Sequence, residues 1–150
     1  MSSVPPPSPY PQVHATPTGA VAWFLGLVVL VCLPFVGSLL AGLLMVILGL
    51  AQRGKGSLAA HNGTRAANWG LTYVLATVIL VGTHFYLLWS QASDGTDTPL
   101  TEDFFPLGIP VALWAVLTLV HVVMSIWGGA VALQGKPFRG NGIPFIRATR

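Results

Sequence analysis

Apolar and polar positions along this 150-residue chain alternate in long blocks rather than residue by residue. Val21 to Ala51 runs for 31 residues without a charge, and Trp69 to Ser90 and Pro110 to Leu133 form two further uncharged runs. At 1.5 Å per residue the last two make helices of about 33 and 36 Å, enough to cross a hydrocarbon core of about 30 Å. Trp69 at one end of the second run, with Tyr86 and Trp89 at the other, fits the aromatic belts of membrane interfaces. The first run would be about 46 Å long as one helix, which is too long for a straight span. It bends or breaks at Leu33-Pro34-Phe35-Val36-Gly37-Ser38, because proline removes a backbone donor and clashes with the preceding turn. Two solutions fit. One is a single kinked span with the N-terminus outside. The other, preferred, is a hairpin of two short helices, Val21–Leu33 and Ser38–Ala51, with the N-terminus inside. Gly37 with Ala41, and Ser38 with Gly42, are small residues four apart that allow close helix packing.

Polar segments separate these runs. Residues 1–19 hold six prolines and no Lys or Arg, the composition of a disordered tail with polyproline II character. They also lack the positive start of a signal peptide. Residues 52–68 read as a loop in which Ser57 caps a short interfacial helix through Leu58, Ala59 and Ala60. Asn62-Gly63-Thr64 is a formal glycosylation acceptor whose expected cytoplasmic placement makes it irrelevant. Pro110 suits the first position of the last helix. Gly128-Gly129 near its far end allows close packing. Residues 136–150 form a tail, with Gly140, Gly142 and Pro144 opposing regular helix. The expected fold is therefore all-α: a polytopic helical membrane domain over 20–135, between a Pro-rich tail, 1–19, and a basic tail, 136–150.

Charge then orients the chain. Hydrophobic residues make up 53% and charged residues 7%, against about 25% charged in soluble domains. So few charges cannot cover a water-facing surface, which implies a lipid-facing one. Arg53, Lys55 and Arg65 lie in the 52–68 segment, and Lys136, Arg139, Arg147 and Arg150 lie in the tail. All four acids, Asp94, Asp97, Glu102 and Asp103, lie in 91–109. Cytoplasmic loops carry the excess of Lys and Arg. The segment 52–68 and the C-terminus are thus expected in the cytoplasm and 91–109 outside. With no basic face or aromatic-basic motif, nucleic acid is not an expected partner. The single cysteine, Cys32, reads as a small buried hydrophobe.

Ionisable and polar groups inside the spans are the places to look for function. Thr77 and His84, seven residues apart, share one helical face, and Thr118, His121 and Ser125 share another. Antiparallel spans place His84 and His121 about 8 Å apart in depth, too far for direct pairing without tilt. The functional reading is a proton or substrate path, or a pair of metal or haem ligands. The structural reading, histidines hydrogen-bonded to Thr or Ser across a helix interface, is preferred. No nucleophile, base and acid come together in sequence. The four acids lack the spacing of a calcium loop, and Gly54-Lys55-Gly56-Ser57 lacks that of a phosphate loop. No catalytic, cofactor or metal residue is assigned.

The order of these pieces resembles a known family. A proline-bearing apolar hairpin is followed by a polar loop ending in Arg65-Ala66-Ala67-Asn68-Trp69. Two spans then lead to Gly135-Lys136-Pro137 and the closing Pro144-Phe145-Ile146-Arg147. Over roughly 22–147 this is similar to the bacterial Tic-twenty-like family, domain of unknown function 4870. Members of that family often carry acids in the first loop, and this chain has none there. The resemblance implies a small multi-pass protein of the bacterial plasma membrane, distantly similar to a channel-forming subunit of the chloroplast inner-envelope import machinery. Together these readings lead us to expect a non-enzymatic subunit or accessory of a membrane complex, with a role related to translocation. It would be embedded in a lipid bilayer beside other subunits or copies of itself. The alternative is a small channel or transporter using the His/Thr/Ser face.

Overall fold

The computed structural model describes residues 16–31, 34–93, 105–140 and 142–147. The expectations for 1–15, for Cys32, for the four acids and for Arg150 lie outside the described residues. The elements are α1 (Ala20–Phe24), continued by a 3-10 helical segment (Leu25–Leu30), α2 (Val36–Ala51), α3 (Ser57–Ser93) and α4 (Gly108–Leu133). The described residues contain no strand.

The first apolar run is a hairpin. Phe35, with φ 66°, stands between Pro34 and α2, and its ring lies 4.6 Å from that of Trp114. The two arms come to about 20 Å and about 24 Å. Neither matches the thickness of a hydrocarbon core. Their bounds differ from the expected Val21–Leu33 and Ser38–Ala51: the first arm is half 3-10 helix, and α2 starts two residues earlier.

Two glycine pairs hold α2 on α3. A Cβ on Gly63 would lie 2.5 Å from the Gly49 carbonyl oxygen, and one on Gly70 would lie 2.6 Å from that of Gly42. Gly42 and Gly49 are seven residues apart, as are Gly63 and Gly70, and the pairing is antiparallel. The two helices therefore meet backbone to backbone. On α4, Gly128 and Gly129 leave room for the rings of Trp23 and Phe24. The small residues thus mark where neighbours press closest.

α3 corrects the expected loop. Ser57 to Ser93 is one helix of 37 residues, about 55 Å long. The segment expected as a loop with a short interfacial helix forms its first turns, and Trp69 lies well inside it rather than opening it. The Ala60 amide bonds the Gly56 carbonyl at 2.9 Å, so Gly56 holds the cap position and Ser57 is the first helical residue rather than the cap. A buried stripe at Ala59, Gly63, Ala66, Gly70, Tyr73 and Thr77 runs unbroken across the expected boundary. Its spacing of four, three, four is that of one helical face. α4 likewise begins at Gly108, two residues before Pro110. Proline still falls among the first four residues, whose amides have no partner within the helix.

α3 and α4 are long and apolar enough to cross a membrane. Their outward faces carry Val78, Ile79, Leu113, Val116, Leu119 and Val123, all more than half exposed. Water would meet an apolar surface far larger than soluble monomers tolerate; lipid is its matching solvent.

The glycine pairs make a sharp prediction. Gly70→Leu should separate α2 from α3 and lower the midpoint of thermal unfolding in detergent by many degrees. At Gly82 an added methyl group would meet nothing within 4 Å, so Gly82→Ala should be accepted with a gain of up to about 1 kcal/mol. Equal loss from both substitutions would refute the contact.

Candidate functional site

The first turns of α3 hold the chain ends against the bundle. Asn62 lies fully buried among them. Its Nδ2 donates to the Thr18 carbonyl at 2.8 Å and the Lys136 carbonyl at 3.2 Å, and its Oδ1 accepts the Phe138 amide at 2.8 Å. Asn68 takes both backbone groups of Ile146, accepting its amide at 2.8 Å and donating to its carbonyl at 2.9 Å. His61 Nε2 donates to the Phe138 carbonyl at 3.1 Å, and Thr72 Oγ1 accepts the Ile143 amide at 2.9 Å. An extended segment leaves most of its backbone groups without local partners, and these side chains supply them in place of a neighbouring strand. Residues 136–140 and 142–147 are thus a docked strap rather than a free tail. Thr18 and Gly19, expected in the disordered tail, are docked as well.

The strap also completes the core. Phe138 is buried with Trp23, Met45, Ala66 and Trp69. Its ring meets Trp23 edge-on at 4.8 Å and Trp127 at 5.4 Å. Its location brings the bases together. Arg53 donates to the Arg147 carbonyl at 3.2 Å. Arg65 and Arg147 line one cavity of about 190 Å³ with His61 and Thr64. Lys55 lies in the turn between α2 and α3, and Lys136 and Arg139 lie on the strap. The bases expected to set the topology, Arg53, Lys55, Arg65, Lys136 and Arg139, therefore all stand at one end of the bundle.

The members of the expected polar face occupy different surroundings. His121 is buried, stacked on Tyr73 with ring centroids 3.8 Å apart, and its Nε2 donates to the Gly26 carbonyl at 3.1 Å. That carbonyl belongs to the 3-10 segment. Gly26 has no room for a Cβ, which would overlap Ser125 Oγ and come within 3.0 Å of His121 Nε2. Thr118 Oγ1 lies 2.9 Å from the Tyr73 hydroxyl, which donates to Ser38 Oγ at 2.8 Å. Trp114 Nε1 donates to the same Ser38 oxygen at 3.2 Å. Thr77 and Ser125 are buried, and neither hydroxyl has a partner among the described residues. His84 lies apart: its Nδ1 donates to the Leu107 carbonyl at 3.0 Å, where the chain enters α4. The two histidines thus engage different carbonyls. Thr118 and His121 join contacts through Tyr73, Ser38, Trp114 and Gly26 that tie α2, α3, α4 and the 3-10 segment together.

Sequence reasoning missed Asn62, Asn68, Tyr73 and Phe138. The two asparagines and the tyrosine sit on or beside the small-residue stripe, and that stripe was the available signal. The strap partners lie 74 to 78 residues further along and leave no local trace.

The family model described as magnetosome magnetite crystal formation proteins, MamF and MmsF, matches residues 15–148. No curated protein and no solved structure matches the chain. The family match overturns the Tic-twenty-like resemblance. That resemblance rested on short motifs, such as Ala67-Asn68-Trp69 and Pro144-Phe145-Ile146-Arg147, and on the order of hairpin and spans. Small helical membrane proteins share such an order because helix packing and the charge rule impose it.

The strap yields a prediction. Phe138→Ala should cost about 3–5 kcal/mol of stability. Asn68→Ala, which loses two bonds to Ile146, should cost about 1–3 kcal/mol. Each should open the C-terminus to carboxypeptidase in detergent, while the wild type resists. A wild-type tail trimmed as fast as the Asn68→Ala tail would show that the strap is not docked.

Proposed function

The chain belongs to the magnetosome magnetite crystal formation protein family, and on that premise we propose that it is a non-enzymatic membrane component of magnetite formation. It acts through assembly, with other membrane subunits or with copies of itself. It turns its basic end to the cytoplasm and its acidic segment, 91–109, to the side where mineral grows. The observation that carries this reading is the separation of charge along the bundle. The bases gather around the 52–56 turn, the start of α3 and the strap, whereas the acids lie in the connection between α3 and α4. The positive-inside rule supports a cytoplasmic basic end. Hard cations take oxygen ligands such as carboxylates, which supports acids on the side that meets iron or its oxide. The acids themselves lie outside the described residues, so the support here is sequence and connectivity.

The buried polar network supports assembly rather than conduction. Its members bond one another and backbone carbonyls across helix contacts, and His84 stands apart from His121. We therefore read Thr118 and His121 as packing groups of the bundle, Thr77 and Ser125 as small side chains buried beside them, and His84 as the tie to the start of α4.

Two measurements test the proposal. In a Cys32→Ala background, Ser93→Cys should react with an impermeant maleimide from the non-cytoplasmic side, and Ser57→Cys only after permeabilisation. The reverse pattern would overturn the orientation. In cells making magnetite, replacing the four acids with their amides should alter crystal size or number as much as deleting the protein does. Unchanged crystals, where deletion changes them, would overturn the mineral-facing role.

A further inference from the structure

The strap does more than close the core: it forms one wall of a groove. Val120, Met124, Trp127 and Val131 fall at spacings of four, three and four, and so on one face of α4. Together with Phe138 and Arg139 of the strap they line an apolar cavity of about 480 Å³. Trp69 of α3 also lines it. The cavity is open on one side, and Val120 and Trp127 are 45% and 59% exposed.

Three features identify what fits. First, the wall on α4 spans 11 residues, about 16 Å, close to the roughly 15 Å of one bilayer leaflet. Second, the exposed Arg139 lines the same groove, and a guanidinium is a fitting partner for a phosphate headgroup. Third, the lining is bulky and aromatic at Trp127 and Trp69, unlike the small-residue seams by which helices of this bundle meet. That contrast favours a flexible chain over another helix. Trp69, only 7% exposed, closes the side toward α3.

The geometry points to a binding site for one anionic phospholipid, its acyl chain laid along α4 and its phosphate on Arg139. The site exists because Asn62 fixes Phe138 and hence the strap. It depends on the bilayer embedding of α4 and not on which side the acids face, so it stands or falls apart from the proposed role in mineral growth.

Native mass spectrometry of the full chain tests it, with detergent-purified protein given equimolar phosphatidylglycerol and phosphatidylcholine of the same acyl chains. One phosphatidylglycerol should be retained per chain, several-fold over phosphatidylcholine. Arg139→Gln should bring that ratio close to one. Lys55→Gln, which removes a base away from the groove, should leave the ratio as it is. Val120→Phe with Met124→Phe should fill the groove and abolish retention of both lipids. Because Val120 already faces outward, folding is checked by the thermal midpoint alone. Equal retention of the two lipids by the wild type would overturn the site, as would a Lys55→Gln loss equal to that of Arg139→Gln. A groove occupied by a second copy would appear as a lipid-free dimer and would overturn it too.

Discussion

The close approach of α2 to α3 is the constraint on which the rest depends. Lipid supplies no hydrophobic force between helices, so association rests on packing and on polar contacts. α2 has 16 residues and is too short to cross a hydrocarbon core by itself. It holds its place by lying against α3 at Gly42–Gly70 and Gly49–Gly63. Once that distance is fixed, Ser38 comes within reach of Tyr73 and Trp114. Met45 and Gly26 then close on His121 and Ser125. A side chain larger than hydrogen at these glycines would push against the facing backbone and part the two helices.

The same economy governs the chain ends. An extended backbone near a membrane surface carries donors and acceptors that must find partners. Two asparagines provide them, each offering an acceptor and a donor on one small amide. Asn68 satisfies both groups of Ile146, and Asn62 bridges the entry to α1 and the exit from α4. Polar residues that look out of place on an apolar helix are in this way the pegs for segments with no regular structure of their own.

The spans, the break at Pro34 and the segregation of charge were legible in the sequence because each follows from the thickness and dielectric of the bilayer. The length of α3 was not, although its signal was there. Arg53, Lys55, Asn62 and Gly63 gave residues 52–68 the look of a loop, while Ala59, Gly63 and Ala66 were already keeping step with Gly70 and Tyr73. The partners of the polar candidates, Gly26, Ser38 and Tyr73, come from elements whose depth and rotation only packing decides. Phe138 joined the core from a segment whose glycines and prolines suggested no order. The family itself was misread from four-residue motifs, which carry too little information to distinguish proteins built to the same membrane rules.

The reach of the strap bears on how the chain matures. Asn62 and Asn68 emerge from synthesis long before Lys136, Phe138 and Ile146, which arrive only after both long helices are complete. Until then their amides must remain hydrated, and the hollow that will receive Phe138 stays open. The strap, 136–140 with 142–147, is therefore the latch. A chain cut short before it would insert and turn correctly, yet never lock.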